Sequence, residues 1–163
     1  MSSLDTQGVP HQGRKFEKST EMNDILKSLH DKLIKSADLI MNKKHLLRSI
    51  VKLPDDFNSR GDISSYLLLK EMGYFQKHNQ VMEIDIKNEL VKHPESIEQW
   101  IRWSEDKRTS SGWYFQQAGS NSFSVSPCTA SQDSPALHFS DKHAACAAFI
   151  KREIEDIRNI SVG

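Results

Sequence analysis

Cysteine, proline and long apolar runs are all scarce in this sequence, and each scarcity excludes a class of protein. The 163 residues include two cysteines and five prolines. The two thiols, Cys128 and Cys146, are too few for a disulfide framework, and we expect both to be reduced. No run approaches the roughly 18 apolar residues that span a bilayer, and the first residues lack the apolar stretch of a secretory signal. The sequence therefore predicts a cytoplasmic protein without a membrane segment.

The motifs that carry catalysis or hold a cofactor are also missing. There is no Gly-rich phosphate loop, no HExxH, no Cys-x-x-Cys pair and no nucleophile elbow. Cys146 and His143 share one predicted helical face, but that face is an apolar stripe, whereas a reactive thiol needs an electropositive and partly exposed setting. Adding Cys128 and His138 gives four potential zinc ligands whose spacing matches no established zinc pattern. We therefore predict no enzymatic activity, no metal and no cofactor.

Charge of one sign is not in excess, since 22 Lys and Arg balance 22 Asp and Glu. Residues 1–52 carry 10 basic and 6 acidic side chains, a net of +4. Residues 53–112 carry 8 and 11, a net of −3, and residues 113–163 carry 4 and 5, a net of −1. This asymmetry is too mild to indicate a nucleic-acid tail or a membrane-binding patch.

Helical periodicity dominates the first two thirds of the chain. Residues 1–18 show no periodicity and predict a flexible N-terminal arm. From Thr20 a long amphipathic helix is predicted, continuing towards Val51, because apolar residues share one face: Met22, Ile25, Leu26, Leu29, Leu33, Ala37 and Ile40. The polar and glycine-containing stretch from Pro54 to Gly61 predicts a break.

Three shorter helices are predicted next. Asp62 is the expected cap of one that ends near Gly73, a residue suited to the left-handed C-terminal position. Residues 82–93 fit a strand or a helix, and their composition favours the helix. Another helix is predicted from Glu95 to Lys107.

The last third of the sequence predicts a small sheet and a final helix. Residues 112–117 and 123–126 are expected to form a hairpin, with a third short strand at 136–139. Ser140 is the expected cap of the last helix. The predicted fold class is thus α+β, a single domain over residues 19–163 with an N-terminal bundle of about four helices, a small antiparallel sheet and a closing C-terminal helix.

Acidic and aromatic residues alternate over residues 83–115, the most distinctive stretch. Trp103 lies roughly 110° from the centre of its helix's apolar stripe, which predicts a boundary position. Exposed aromatic rings surrounded by carboxylates are typical of an interface for a basic protein. The predicted partner-binding residues are Glu95, Glu98, Arg102, Trp103, Glu105, Asp106, Trp113 and Tyr114. An alternative stays open, in which the aromatics form the core between helix and sheet and the acids are a solvated face.

The order of helices and hairpin over residues 62–126 also permits a winged helix-turn-helix that binds DNA. Glu95–Lys107 would then be the recognition helix, with Lys107 and Arg108 at the start of the wing. Four acidic side chains on this helix and its margin oppose contact with phosphates, so nucleic acid is the less favoured partner.

Two segments, HPESIEQWIRWSEDKRTSSGWYF at 93–115 and LHFSDKHAACAAFIKREIEDI at 137–157, resemble the C-terminal half of small bacterial immunity proteins. Such proteins accompany toxins of contact-dependent growth inhibition and related polymorphic toxin systems. The resemblance implies a cytosolic, non-catalytic protein that neutralises a cognate toxin domain by binding it. Many of these toxins are basic nucleases, which agrees with an acidic and aromatic surface. The resemblance assigns no role to any single position.

Overall fold

The fold is α+β, and helices precede, cover and follow one small sheet. A computed structural model of the chain describes residues 14–106, 112–128 and 135–160. The helices are α1 Arg14–Val51, α2 Leu53–Arg60, α3 Ser65–Glu71, α4 Tyr74–Lys77, α5 Glu83–Lys92, α6 Glu95–Glu105 and α7 Lys142–Asn159. The strands are β1 Trp113–Gly119, β2 Ser122–Pro127 and β3 Leu137–Phe139. The predicted fold class is confirmed, with more and shorter helices before the sheet than expected.

The chain divides into two compact units, residues 1–41 and residues 42–163. The single domain over residues 19–163 stays a prediction. Helix α1 begins at Arg14, so the end of the predicted arm is helical. Arg, Lys and Glu at 14–18 are good helix formers, and this propensity outweighs the lack of apolar periodicity. The rest of that arm, residues 1–13, lies outside the described residues.

The stretch from Pro54 to Gly61, predicted as a break, forms helix α2 instead. Pro54 lies in the first turn, where its missing amide hydrogen costs no helical bond. Asp55 and Asp56 follow in the same turn, where carboxylates interact favourably with the helix dipole. Gly61 then ends the helix in the left-handed conformation, with φ of 63°.

The caps of the next helices differ slightly from those predicted. Ser64, not Asp62, caps α3, because its side chain accepts a hydrogen bond from the Leu67 amide. Gly73 adopts the left-handed conformation after α3, with φ of 81°, as predicted. Residues 83–92 are helical, which resolves the ambiguity of that segment. Asp141, not Ser140, caps α7 by accepting from the amides of His143 and Ala144.

The described strands form one antiparallel sheet in the order β1-β2-β3. Phe115 lies opposite Val125, and Ser124 lies opposite His138. The register shifts between Gln117 and Gly119, where the hairpin turns. Strand β1 therefore lies at one edge of the described sheet.

Helix α7 is the centre of the second unit and packs against α3, α5, α6 and all three strands. Its buried face includes Cys146, Phe149, Ile150 and Ile154, none of which is exposed to solvent. Trp100 of α6 contacts Phe149 edge to face, with ring centroids 6.1 Å apart. None of the described helices combines the length and apolarity needed to cross a membrane.

Candidate functional site

Helix α6 turns one face towards the core and one towards solvent. Ile97, Trp100 and Ser104 are buried, and the Trp100 indole nitrogen donates to the backbone oxygen of Val51 at 2.9 Å. The outward face carries four of the predicted partner-binding residues: Glu95, Glu98, Arg102 and Glu105. Because an α-helix has 3.6 residues per turn, the buried residues and these four charged residues lie on opposite faces. Among the predicted residues, the exposed face therefore carries three carboxylates and one guanidinium.

Trp103 is only 4% exposed, so the prediction of a boundary position with a partner-binding side chain is wrong. Its ring lies against Phe57 of α2, with centroids 5.2 Å apart, and against Trp100 at 5.5 Å. Its indole nitrogen donates to the buried carboxylate of Glu153 at 3.0 Å. Because α2 and α7 pack on two sides of α6, a position at the margin of the apolar stripe is enclosed.

Trp113 is half-buried, and its indole is held by α7. The indole nitrogen donates to Asp156 at 2.7 Å, and the Arg152 guanidinium lies 5.6 Å from the ring centroid. Burial raises the pKa of Asp156, outweighing the hydrogen bond from Trp113, and nearby Glu155 raises it further. Trp100 and Trp103 therefore lie in the core, as the alternative interpretation of the aromatic residues predicted, whereas Trp113 lies at the boundary of the core.

A groove of about 1090 Å³ lies between the outward face of α6 and strand β1. Three predicted residues line it together: Glu98, Glu105 and Tyr114. The rest of its lining consists of Ile101, Ser104, Phe115, Gln116, Gln117, Ala118, Gly119 and Ser124. The structure therefore brings two carboxylates, one phenol ring and the backbone of an edge strand to a single concave surface.

The edge of β1 is partly closed by α6 inside this groove. The Phe115 amide donates to the Ser104 hydroxyl at 2.7 Å, so it points away from β2. Backbone groups in a strand alternate sides every residue, which places the amide and carbonyl of Gln117 on the same outer side. Among the described residues, β1 pairs with β2 alone.

The charges of the groove are partly compensated. Lys142 donates to Glu98 at 2.6 Å, although the Glu98 side chain stays 62% exposed. Outside the groove, a hydrogen bond from its own backbone amide and contact with His93 lower the pKa of Glu95. All three outward carboxylates of α6 are exposed to solvent.

Three further predicted residues lie away from the groove. Arg102 and Asp106 line a smaller pocket of about 190 Å³ together with Pro54 and Asn58. Glu95 lies at the opposite end of α6 from Asp106. The predicted set is therefore divided between two surfaces and the core.

The setting of Cys146 opposes a reactive thiol–imidazole pair with His143. Cys146 is fully buried, and burial raises the pKa of its thiol, which opposes nucleophilic reactivity. His143 is half-buried, and its Nδ1 lies 3.6 Å from Asp141, the cap of α7. No group of three or more His, Cys, Asp or Glu is arranged to hold a metal ion among the described residues.

The sequence reasoning missed two features. The groove depends on β1 being an edge strand beside α6, which no local pattern in the sequence predicts. The second feature is a polar cluster around Glu155, lining a pocket of about 670 Å³ with Lys151, Arg158 and His78. Its one local signal is the spacing of Lys151, Glu155 and Arg158 on one face of α7.

Comparison with models of protein families, with curated proteins and with solved structures found no match to this chain.

Proposed function

We propose that this chain is an immunity protein that binds and neutralises a cognate bacterial toxin domain, with the α6–β1 groove as its contact surface. The observation that carries the proposal is the meeting of Glu98, Glu105 and Tyr114 in that groove. Carboxylates around an aromatic ring suit a cationic protein surface, such as that of a basic nuclease. In this proposal the immunity protein inhibits the toxin domain by binding it and catalyses no reaction.

The edge of β1 supplies the second half of the recognition. An extended segment of the partner pairs with the outward backbone groups of Gln117, as in other complexes that add a strand to a sheet. Basic side chains of that segment then lie near Glu98 and Glu105. Main-chain hydrogen bonds hold the partner, and the carboxylates select its charge and speed association.

The test is rescue of bacterial growth during expression of a toxic domain that is identified by pull-down with this chain and mass spectrometry. The wild-type protein restores growth, and the double variant Glu98→Lys, Glu105→Lys does not. With purified proteins, the double variant slows association by about tenfold or more at low salt, because like charges repel. Surface plasmon resonance at several salt concentrations measures that rate.

The matched control is Asp62→Lys, a charge reversal at an exposed position outside the groove. This variant keeps both rescue and the association rate. Rescue by the double variant at the wild-type level would remove the groove from the proposal, and a wild-type protein that gives no rescue would remove the function.

The runner-up, a DNA-binding regulator, is tested by retention of duplex DNA in a gel-shift assay. The outward carboxylates of α6 oppose it, because a recognition helix must approach phosphates. Salt-dependent retention of DNA by the wild-type protein would favour this runner-up.

A further inference from the structure

Residues 21–41 of α1 expose an unusually apolar helix surface. Every side chain in this segment is exposed, including nine large hydrophobic ones. Their exposed fractions run from 47% at Ile34 to 69% at Leu33. The nine residues are Met22, Ile25, Leu26, Leu29, Leu33, Ile34, Leu39, Ile40 and Met41.

The size of this surface is that of an interface. Seven of these side chains, all but Ile34 and Met41, lie within an arc of about 140° at 100° per residue. These seven present roughly 700 Å² to water, more than the largest apolar patch of a typical monomer, which covers about 300–600 Å². A stable protein interface buries about 800 Å² on each partner. We therefore infer a macromolecular occupant of matching length.

The spacing of the apolar side chains identifies the kind of occupant. Intervals of four and three residues alternate along one seam: Met22, Leu26, Leu29, Leu33, Ser36 and Ile40. This average period of 3.5 residues keeps the seam facing a second helix in a left-handed coiled coil. Ser36 is the one polar position of the seam.

The charged side chains on the opposite face of α1 argue against binding to an anionic membrane. Acidic and basic residues alternate there at intervals of three or four, forming a ladder of opposite charges: Asp24, Lys27, Asp31, Lys35 and Asp38. Residues 21–41 contain three Lys against four Asp and Glu, a net of −1. Helices that lie on membranes are rich in Lys and Arg on their polar face.

A second copy of α1 fits the seam when it runs antiparallel. With the pair centred at residue 31, Ser36 lies opposite Leu26, Ile40 opposite Met22, and Leu33 opposite Leu29. At the margin of the seam, Ile25 then faces Leu39 of the second copy, which extends the apolar contact.

The parallel arrangement fits less well. It would place Ser36 against Ser36 in the middle of the seam and Ile25 against His30. We propose that the protein forms a homodimer through an antiparallel pair of α1 helices, centred at residue 31.

Light scattering and analytical ultracentrifugation of the full chain test the association. We expect the wild-type protein to be a dimer. Leu29→Asp should raise the dimer Kd by about a hundredfold or more, because the dimer interface then buries two carboxylates, one from each copy. Ser28→Asp is the matched control, since it adds the same charge at the adjacent exposed position outside the seam, and it remains dimeric.

Cysteine cross-linking tests the direction in a Cys128→Ser background. Copies with Ser36→Cys mixed with copies carrying Leu26→Cys form a mixed disulfide in the antiparallel pair, and Ser36→Cys alone forms none. A disulfide from Ser36→Cys alone would overturn the antiparallel arrangement.

Two other outcomes would overturn the homodimer. One is a wild-type protein that stays monomeric over the whole accessible concentration range. The other is a monomer that binds vesicles of phosphatidylserine and phosphatidylcholine and loses this binding in Leu29→Asp, which would assign the seam to a membrane surface. Growth rescue by the groove plays no part in these readouts, so the two proposals fail independently.

Discussion

Glu155 receives hydrogen bonds from three side chains at the boundary of the core. Tyr74 donates from its hydroxyl, Lys151 donates at 2.8 Å, and Arg158 donates twice, at 3.0 and 2.8 Å. Burial raises the pKa of Glu155, but the hydrogen bonds from Lys151, Tyr74 and Arg158 outweigh it and bring the pKa to about 2. Burial and the bond to Glu155 raise the pKa of Tyr74, so its hydroxyl stays a donor.

The depressed pKa of Glu155 makes part of the stability depend on pH. The folded-state pKa of about 2 lies below the ordinary value of 4.5, so the folded state favours the carboxylate. Its contribution is complete above pH 4.5 and is lost as the pH falls towards 2. Glu155→Gln should lower the free energy of unfolding at pH 7 by about 1–3 kcal/mol, because charge-assisted hydrogen bonds are lost. Urea denaturation followed by circular dichroism measures this difference.

Glu71→Gln is the control for that substitution. Glu71 pairs with Arg60 at 2.7 Å, and its side chain is 54% exposed, so its removal should change stability by less than about 1 kcal/mol. The difference between wild type and Glu155→Gln should shrink between pH 4.5 and pH 2. A constant difference over that range would contradict the assignment.

At the level of elements, strand β1 carries the least protected backbone of the candidate site. Ser104 occupies the outer side of Phe115, and Gln117 is the next residue whose backbone points outward. Exposed strand edges attract further strands, so proteins that keep one open usually use it or block it. Here the Ser104 hydroxyl binds the backbone amide of Phe115, and the outward backbone groups of Gln117 are the next ones along the edge.

Gln117→Pro tests the use of this edge. Proline removes the amide hydrogen, yet it is tolerated at strand edges where that hydrogen faces outward. We expect cooperative unfolding to persist and growth rescue to be lost. Gln117→Ala, which keeps the amide, should rescue growth as the wild type does. Full rescue by Gln117→Pro would show that the partner does not pair with β1.

The helices and strands also show how far local sequence predicts this fold. The amphipathic stripe of α7 and the hairpin were predicted because their periodicity is local. Helix α2 was missed because proline and two aspartates indicate a break unless they fall in a first turn. The sequence predicts only a boundary position for Trp103, because its enclosure depends on Phe57 and Glu153, distant in sequence and brought together by the fold. The groove depends on strand order in the same way.

At the level of the whole molecule, the described buried apolar side chains lie in the second unit. Its buried apolar side chains run from Leu46 to Ile157, and every described side chain in 21–41 is exposed. The amphipathic helix predicted from Thr20 is therefore present, and its described apolar side chains are exposed. The apolar periodicity of a helix predicts that its apolar face is buried, but it does not identify the residues that bury it.

Deletion of residues 1–41 should leave a folded protein. We expect the unfolding midpoint of residues 42–163 to lie within about 3 °C of that of the full chain measured as a monomer, since every side chain described in residues 21–41 is exposed. Differential scanning calorimetry of the truncated protein and of the Leu29→Asp variant makes that comparison. An unfolded truncated protein would mean that residues 1–41 contribute to the core.

The fluorescence of the three tryptophans reports on only one part of this molecule. Trp100 contacts Phe149, Trp103 donates to Glu153 and Trp113 donates to Asp156, so all three indoles lie against α7. Their emission spectrum therefore follows the environment of that one helix, while melting of residues 21–41 leaves it unchanged. Far-ultraviolet ellipticity, to which every helical turn contributes, would register both events and separate them.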